Sequence, residues 1–282
     1  MRVLVTGHKG YIGSHLFQRL KSAGHKVLGI DLQEGENILT GLKLKHYEFK
    51  PEVVFHLAAI PRVAYSVEYP KEVMHNNIHT TSVILEFAKN IGAMVVYSSS
   101  SSVVGNGDGP TNPYALSKLA AELETVLYWK LYGTRTVSLR YFNVYSKDQK
   151  AEGPYATCVA NWRKFIKDGK IPFITGDGEQ RRDMAHVDDV VSANMFCLEN
   201  LKNAGLYGKV FDVGTGNNIS INEMKEAVAR IIPGLKFEYV APRPADVLLT
   251  KANIQPLKDL GWIPEVDIIE GIKECFSEFS NE

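Results

Sequence analysis

The sequence predicts an α/β fold: a doubly wound parallel sheet joined to a smaller, mixed C-terminal lobe. Three observations carry this. Short β-branched runs alternate with amphipathic stretches over residues 1–143, a rhythm that implies βαβ units with helices on both faces of the sheet. A glycine-rich turn joins the first run to the first helical stretch. After Phe142 the rhythm breaks into a polar segment without periodicity.

In chain order, residues 2–6 form a buried strand, 10–22 a helix and 26–31 a second strand. A short, weakly periodic segment follows, then an apolar run at 53–57 of the fully buried kind. A helix over 73–90, a strand over 93–98, a helix over 113–132 and a strand over 134–140 complete the series. Residues 143–155 form a loop. Beyond it come a helix over 157–168, a short strand near Ile171, a glycine turn at 176–178 and a helix over 187–200. A strand over 210–213, a helix over 222–232, a strand over 236–240 and an extended Pro-rich segment at 241–244 follow. The expected division is a dinucleotide-binding domain over 1–143 and a substrate-binding lobe over 144–282, with parts of 187–215 returning to the first sheet.

Composition excludes several function classes. Thirty-two basic and 32 acidic residues give a formal net charge of zero, which does not support a nucleic-acid partner. Cys158, Cys197 and Cys275 stand apart and are odd in number, unlike a disulfide framework or a zinc site. They fit small buried side chains in a reducing compartment, and no bound metal is expected. No apolar run approaches bilayer length, and the N-terminal one is too short for a signal peptide. A soluble, cytoplasmic protein without a membrane partner is expected.

Gly7, Gly10 and Gly13 follow the first strand and open the first helix, with Tyr11 and Ile12 between the last two. This spacing permits a tight turn, close approach of backbone to a pyrophosphate and close helix packing, and the helix N-terminus favours the phosphates. Asp31 ends the second strand, where its carboxylate would accept from the adenosine ribose hydroxyls and repel a 2′-phosphate. No arginine follows it, so NAD is expected rather than NADP. Leu57, Ala58 and Ala59, at the end of the third strand, leave room for the cofactor. For Asn76 and Asn77, read as opening the next helix, capping and cofactor contact both remain open.

Tyr114 and Lys118 lie four apart on one helix face. An ammonium near the phenol would favour its ionised form, turning a group of ordinary pKa about 10 into a usable base. Upstream stands the serine run 98–102.

Together, residues 6–13, Asp31, His56-Leu57-Ala58-Ala59, Ser98-Ser99-Ser100 and Tyr114-x-x-x-Lys118 resemble the extended short-chain dehydrogenase/reductase superfamily, and within it the nucleotide-sugar epimerase/dehydratase branch. Leu139-Arg140-Tyr141-Phe142-Asn143, Gly176-Asp177-Gly178 before Arg182-Asp183, His186-Val187-Asp188-Asp189 and Arg243-Pro244-Ala245-Asp246 agree in order. The dehydratases of that branch carry an Asp-Glu pair after the active serine and the decarboxylating relatives a Glu. This chain has Ser101-Ser102, so it is most similar to the UDP-hexose 4-epimerases, acting on UDP-glucose/UDP-galactose.

The resemblance implies an NAD-binding Rossmann-like domain and transient oxidation of the sugar at C4. Tyr114 would take the hydroxyl proton, Ser100 would bond the same oxygen, and Lys118 would bind the nicotinamide ribose and hold the tyrosine's pKa down. Ser98, Asn76 and Phe142 would contact the cofactor. Asn143, Arg182 and Arg243 would hold the diphosphate, and Asp246 a ribose hydroxyl. For Arg182, an ion pair with Asp183 or Asp188 is the structural alternative. Thr250, standing where galactose-restricted enzymes carry a tyrosine, would leave space for a 2-N-acetyl group, so UDP-GlcNAc/UDP-GalNAc are expected substrates too. The resemblance further implies a homodimer through a four-helix bundle built from helices 73–90 and 113–132. Two alternatives stand beside this reading: a nucleotide-4-ketosugar reductase that consumes its cofactor, and a non-catalytic nucleotide sensor.

Overall fold

The computed structural model describes residues 1–151, 157–242 and 247–280. The first unit is β1 (Arg2–Thr6), α1 (Tyr11–Ser22) and β2 (Lys26–Ile30). Next come α2 (Leu44–Phe49), β3 (Val53–His56), α3 (Val63–Glu68), α4 (Pro70–Ile91), β4 (Met94–Ser100), α5 (Pro113–Tyr132) and β5 (Thr136–Tyr141). The later chain supplies α6 (Cys158–Lys167), β6 (Phe173–Thr175), β7 (Arg181–Arg182), α7 (Val187–Glu199) and β8 (Lys209–Val213). It ends with β9 (Ile219–Ser220), α8 (Ile221–Ile231), β10 (Glu238–Val240), α9 (Gln255–Lys258) and α10 (Ile268–Phe276).

Six parallel strands make the central sheet in the order β2-β1-β3-β4-β5-β8. Side chains alternate across each strand, and both faces are covered. Val3, Val5 and Phe55 join a core with Leu16 and Leu20 of α1 and Val190, Ala193 and Cys197 of α7. Leu4, Val54 and Val95 point to the opposite face, against Ile84, Leu85 and Ala88 of α4. Burial on both sides explains why β1, β3 and β4 read as continuous apolar runs rather than alternating ones. A separate core of Trp162, Met224, Val228, Ile272 and Phe276 holds α6, α8 and α10 together. Two small sheets, β6 with β10 and β7 with β9, flank it.

Several expectations are corrected. Pro70 starts α4 three residues before the expected start at 73, so Asn76 and Asn77 lie inside the helix and cap nothing. The weakly periodic segment after β2, given no element from the sequence, folds as two 3₁₀ turns and α2. The strand expected near Ile171 starts at Phe173, where it pairs with β10. The extended segment at 241–244 falls partly outside the described residues.

Candidate active site

Strand order reverses at β1, so the carboxyl ends of β1 and β3 border the crevice where open α/β sheets take ligands. The glycine turn fills one side of it. Gly7 has φ of 71°, and a Cβ there would lie 2.8 Å from Ala58 N; a Cβ on Gly13 would meet Gly7 O at 2.1 Å. Only glycines let the β1 turn, the 57–59 segment and α1 approach this closely. α1 has Gly10 at its N-cap, hence no side-chain cap, and no acidic residue in its first turn, so its N-terminal N–H groups suit an anion. Asp31 accepts from Gln33 N at 3.0 Å and Lys9 N at 2.9 Å, and its remaining lone pairs suit ribose hydroxyls. These residues fit a dinucleotide. Ile12 packs against the sheet core, while Tyr11 reaches the other way, its hydroxyl 2.6 Å from Ser146 Oγ. Leu57 N donates to Thr6 O at 3.2 Å, which fixes the small-residue segment to β1.

Tyr114, Ser100 and Lys118 come together where β4 ends against α5. Asn112 caps α5 by accepting from Ala115 N at 2.9 Å, and Pro113 occupies its first turn. Tyr114 is therefore held in the opening turn, its phenol facing Ser100. Burial raises the phenol above its ordinary value, and the Ser100 hydroxyl opposes that rise. Lys118 is 4% exposed; its Nζ donates to Ser98 O at 2.8 Å and sits 4.9 Å from the Tyr97 ring centroid. Burial pushes the ammonium down to about 7. The expected lowering of the phenol by Lys118 is not found in the chain by itself: burial raises it, and Ser100 rather than Lys118 opposes the rise. Ser98 turns its hydroxyl toward Tyr141, 2.9 Å away, and presents only its carbonyl to Lys118. Ser102 Oγ donates to Ser100 Oγ at 2.9 Å, so Ser100 is the hub of a serine turn without a carboxylate. Behind it, Ser99 Oγ donates to Glu122 at 2.9 Å, and Arg140 donates to both oxygens of that carboxylate. This buried fork fixes the end of β4 between α5 and β5.

Sequence reasoning missed the polar groups behind the tyrosine. His56 Nδ1 lies 2.8 Å from Thr6 Oγ1, and its Nε2 lies 3.1 Å from Thr81 Oγ1. Thr81 Oγ1 donates to Asn77 O and Thr6 Oγ1 accepts from Ala58 N, which assigns a neutral ring with its proton on Nε2. The available signal was a histidine and threonines at buried positions of a strand and a helix. Burial, with the Lys118 charge adding to it, pushes His56 down to about 3 from 6.5. The unfolded chain therefore takes up a proton below pH 6.5 that the fold refuses until about pH 3. Stability present above pH 6.5 is lost on acidification through that window, by about 1.4 kcal/mol per pH unit from this group. His56→Gln should flatten the acid limb of denaturant unfolding between pH 6 and pH 4; equal slopes would remove His56 as its source.

On the substrate side, Phe142 is buried, its N–H donating to Val213 O at 3.0 Å. Asn143 follows with φ of 34°, a left-handed conformation that asparagine tolerates. Its Nδ2 donates to Asp183 O at 2.7 Å and Thr250 Oγ1 at 3.1 Å. Thr250 Oγ1 also accepts from Asp183 N at 3.0 Å, so the expected size-determining residue is tied to the expected diphosphate contact. The Asp183 carboxylate accepts from Thr215, Gly216 and Ala252. Arg182, in β7, donates from Nη1 to Arg181 O at 3.0 Å. Asn76 Nδ2 donates to Asn77 Oδ1 at 3.0 Å. Arg243 and Asp246 lie outside the described residues. Among the described residues, no cluster of His, Cys, Asp or Glu could hold a metal and no helix is long and apolar enough to cross a membrane.

Comparison with known proteins agrees with this geometry. Residues 3–214 match the model of the NAD dependent epimerase/dehydratase family. UDP-glucose 4-epimerase of Mycolicibacterium smegmatis is 34% identical, over 100% of this chain and 99% of its own length. Among solved structures, UDP-N-acetylglucosamine 4-epimerase from Methanobrevibacter ruminantium in complex with UDP-N-acetylmuramic acid superposes with a TM-score of 0.89 at 30% identity, covering 99% of this chain and 97% of that one. UDP-glucuronic acid 4-epimerase from Bacillus cereus, in complex with UDP-glucuronic acid and NAD, has a TM-score of 0.85 at 29% identity and 98% coverage of both chains. With the strand order, the glycine turn and the Tyr114–Ser100–Lys118 arrangement, the full-length match establishes that the chain belongs to the NAD-dependent epimerase/dehydratase family.

Proposed function

We propose that the protein catalyses 4-epimerisation of a UDP-hexose, with UDP-glucose/UDP-galactose and their 2-N-acetyl counterparts as substrates. One observation carries the choice within the family: the Tyr114 phenol faces Ser100, and the turn beyond Ser100 holds Ser101 and Ser102 in place of acids. By the resemblance, the dehydratases carry an Asp-Glu pair at these positions and the decarboxylating relatives a Glu; proton transfer at C4 requires only the phenol and serine. NAD, when bound, supplies a reversible hydride acceptor. Tyr114 takes the proton from the sugar 4-hydroxyl, and Ser100 donates to the oxygen that becomes the 4-keto group. Lys118 holds the cofactor ribose and adds positive charge near the phenol. The same groups return the proton once the sugar has presented its other face. Asn143 and Arg182 hold the diphosphate, with Arg243 and Asp246 completing its grip.

Incubating the purified protein with UDP-glucose, UDP-GlcNAc and UDP-glucuronate, and separating the products, tests the reading. The expected result is interconversion of 4-epimers with NAD carried through purification and no net change in cofactor. Stoichiometric consumption of NADH would establish the reductase reading, and loss of water or CO₂ from the sugar would establish elimination or decarboxylation. Refusal of the N-acetyl sugars would overturn the role of Thr250 alone.

A homodimer belongs to the same proposal. Leu116, Leu123, Leu127 and Leu131 are exposed along one face of α5, an unpartnered stripe at helical spacing. Pairing α4 and α5 with a second copy would bury it in a four-helix bundle. Light scattering at the mass of two chains, reduced to one chain by Leu123→Glu/Leu127→Glu, is the expected result.

A further inference from the structure

Tyr97 is among the largest fully buried side chains of the protein, 1% exposed, and it precedes the serine run on β4. In the sheet it lies between His56 of β3 and Ser138 of β5. Side chains alternate along a strand, so Tyr97 shares a face with Ser99, which meets Glu122 of α5. Lys118 of α5 approaches the same face, its Nζ 4.9 Å from the Tyr97 ring centroid. Among the described residues the ammonium makes one hydrogen bond, to Ser98 O at 2.8 Å. It has three donors; the ring stands where a second acceptor would, and one donor remains for a ligand. The Tyr97 hydroxyl faces Thr81 of α4 and makes no hydrogen bond among the described residues. The ring, not the hydroxyl, meets the charge.

We infer that Tyr97 is a positioning residue for the cofactor: its aromatic face is the seat that holds the Lys118 ammonium at the nicotinamide ribose. The inference rests on the assignment of Lys118 to that ribose made above. A cation over a desolvated ring is held more strongly than one at the surface. Burial pushes the ammonium down to about 7, and an electron-rich face favours the charged form against that push. The titratable groups around the pair are His56 from β3, pushed down to about 3, and Tyr114, Glu122 and Glu124 from α5. Glu122 is held by Arg140, and α4 contributes the uncharged Thr81.

Calorimetric titration with NAD on variants at position 97 tests this. Tyr97→Phe keeps the ring and should bind NAD within about twofold of the parent. Fluorinated phenylalanines at the same position keep the ring's shape and drain its negative face, so affinity should fall stepwise with fluorine content. Tyr97→Leu removes the face and should weaken binding roughly tenfold, the scale of a desolvated cation–π contact. In a Lys118→Met background the same change should alter affinity less than about twofold, as expected of a group that acts through the ammonium. Affinity in the parent should fall as pH rises through the Lys118 titration at about 7. Without the ring the charged form is lost sooner, so in Tyr97→Leu this fall should move down by about one pH unit. Leucine leaves a cavity; if that variant does not fold, the fluorinated series decides at nearly constant shape.

Equal affinity along the fluorinated series would overturn the inference, as would an equal loss from Tyr97→Leu with and without Lys118. Failure of the underlying assignment looks different. If Lys118→Met binds NAD as tightly as the parent, the ammonium is not on the ribose and the inference falls with that assignment. If Lys118→Met binds weakly while the fluorinated variants match the parent, only the role of Tyr97 falls.

Discussion

Tyr114→Phe should lower turnover by roughly 10²–10⁴-fold, the contribution of a positioned general acid–base group, while folding and NAD retention stay as in the parent. The expectation follows from what the phenol touches. Its hydroxyl faces Ser100, and burial raises its pKa above the ordinary value, so it favours the neutral form until a positive charge stands beside it. Lys118, pushed down to about 7 by burial, offers that charge fully only toward the acid side. Burial thus moves the two groups in opposite directions, the phenol up and the ammonium down. Turnover should rise with pH along one limb as the phenol gives up its proton, and the Phe variant should lose that limb. Loss of NAD or a collapsed melting curve in the variant would make the phenol a structural group; unchanged kcat would remove it as the base.

The parts of this site differ in how readily the sequence discloses them, and the difference is one of distance along the chain. α5 could be bounded without the structure because Asn112 caps it, Pro113 opens it and Gly133 closes it in a left-handed conformation. Tyr114 and Lys118 then fall on one face by period alone. The glycine turn is equally local. The Asn143–Thr250 bond joins residues 107 apart, and no spacing rule reaches that far. For Asn77 the capping alternative fails for a different reason: Pro70 starts α4 earlier than the apolar period suggests, which places the asparagine inside the helix on a buried face. α2 and α3, of six residues each, are too short to show a period. α10 has a legible signal, Asp267 accepting from Ile269 N and Glu270 N ahead of an apolar stripe at Ile268, Ile272, Cys275 and Phe276.

Gly13→Ala should abolish copurification of the dinucleotide and weaken NAD binding far more than Gly10→Ala. The new Cβ at position 13 would stand 2.1 Å from Gly7 O and 2.9 Å from Gly7 C, both backbone atoms that cannot rotate aside. Gly7 cannot retreat either, since its own Cβ position is 2.8 Å from Ala58 N and its φ of 71° fixes the turn. The remaining response is for α1 to move off the turn, carrying away the uncapped N–H groups that would hold the pyrophosphate. At Gly10 the corresponding contact is a single 3.2 Å approach to Gly7 O, which a few tenths of an ångström relieves. Overpacking of this kind costs about 1–3 kcal/mol in stability, so the Gly13 variant should still fold at low temperature, and its affinity can be measured. Calorimetric titration with NAD on the two purified variants gives the comparison. Equal affinity for the Gly13 and Gly10 variants would mean that the pyrophosphate does not rest on this turn, and the placement of the cofactor in the β1–β3 crevice would have to be abandoned.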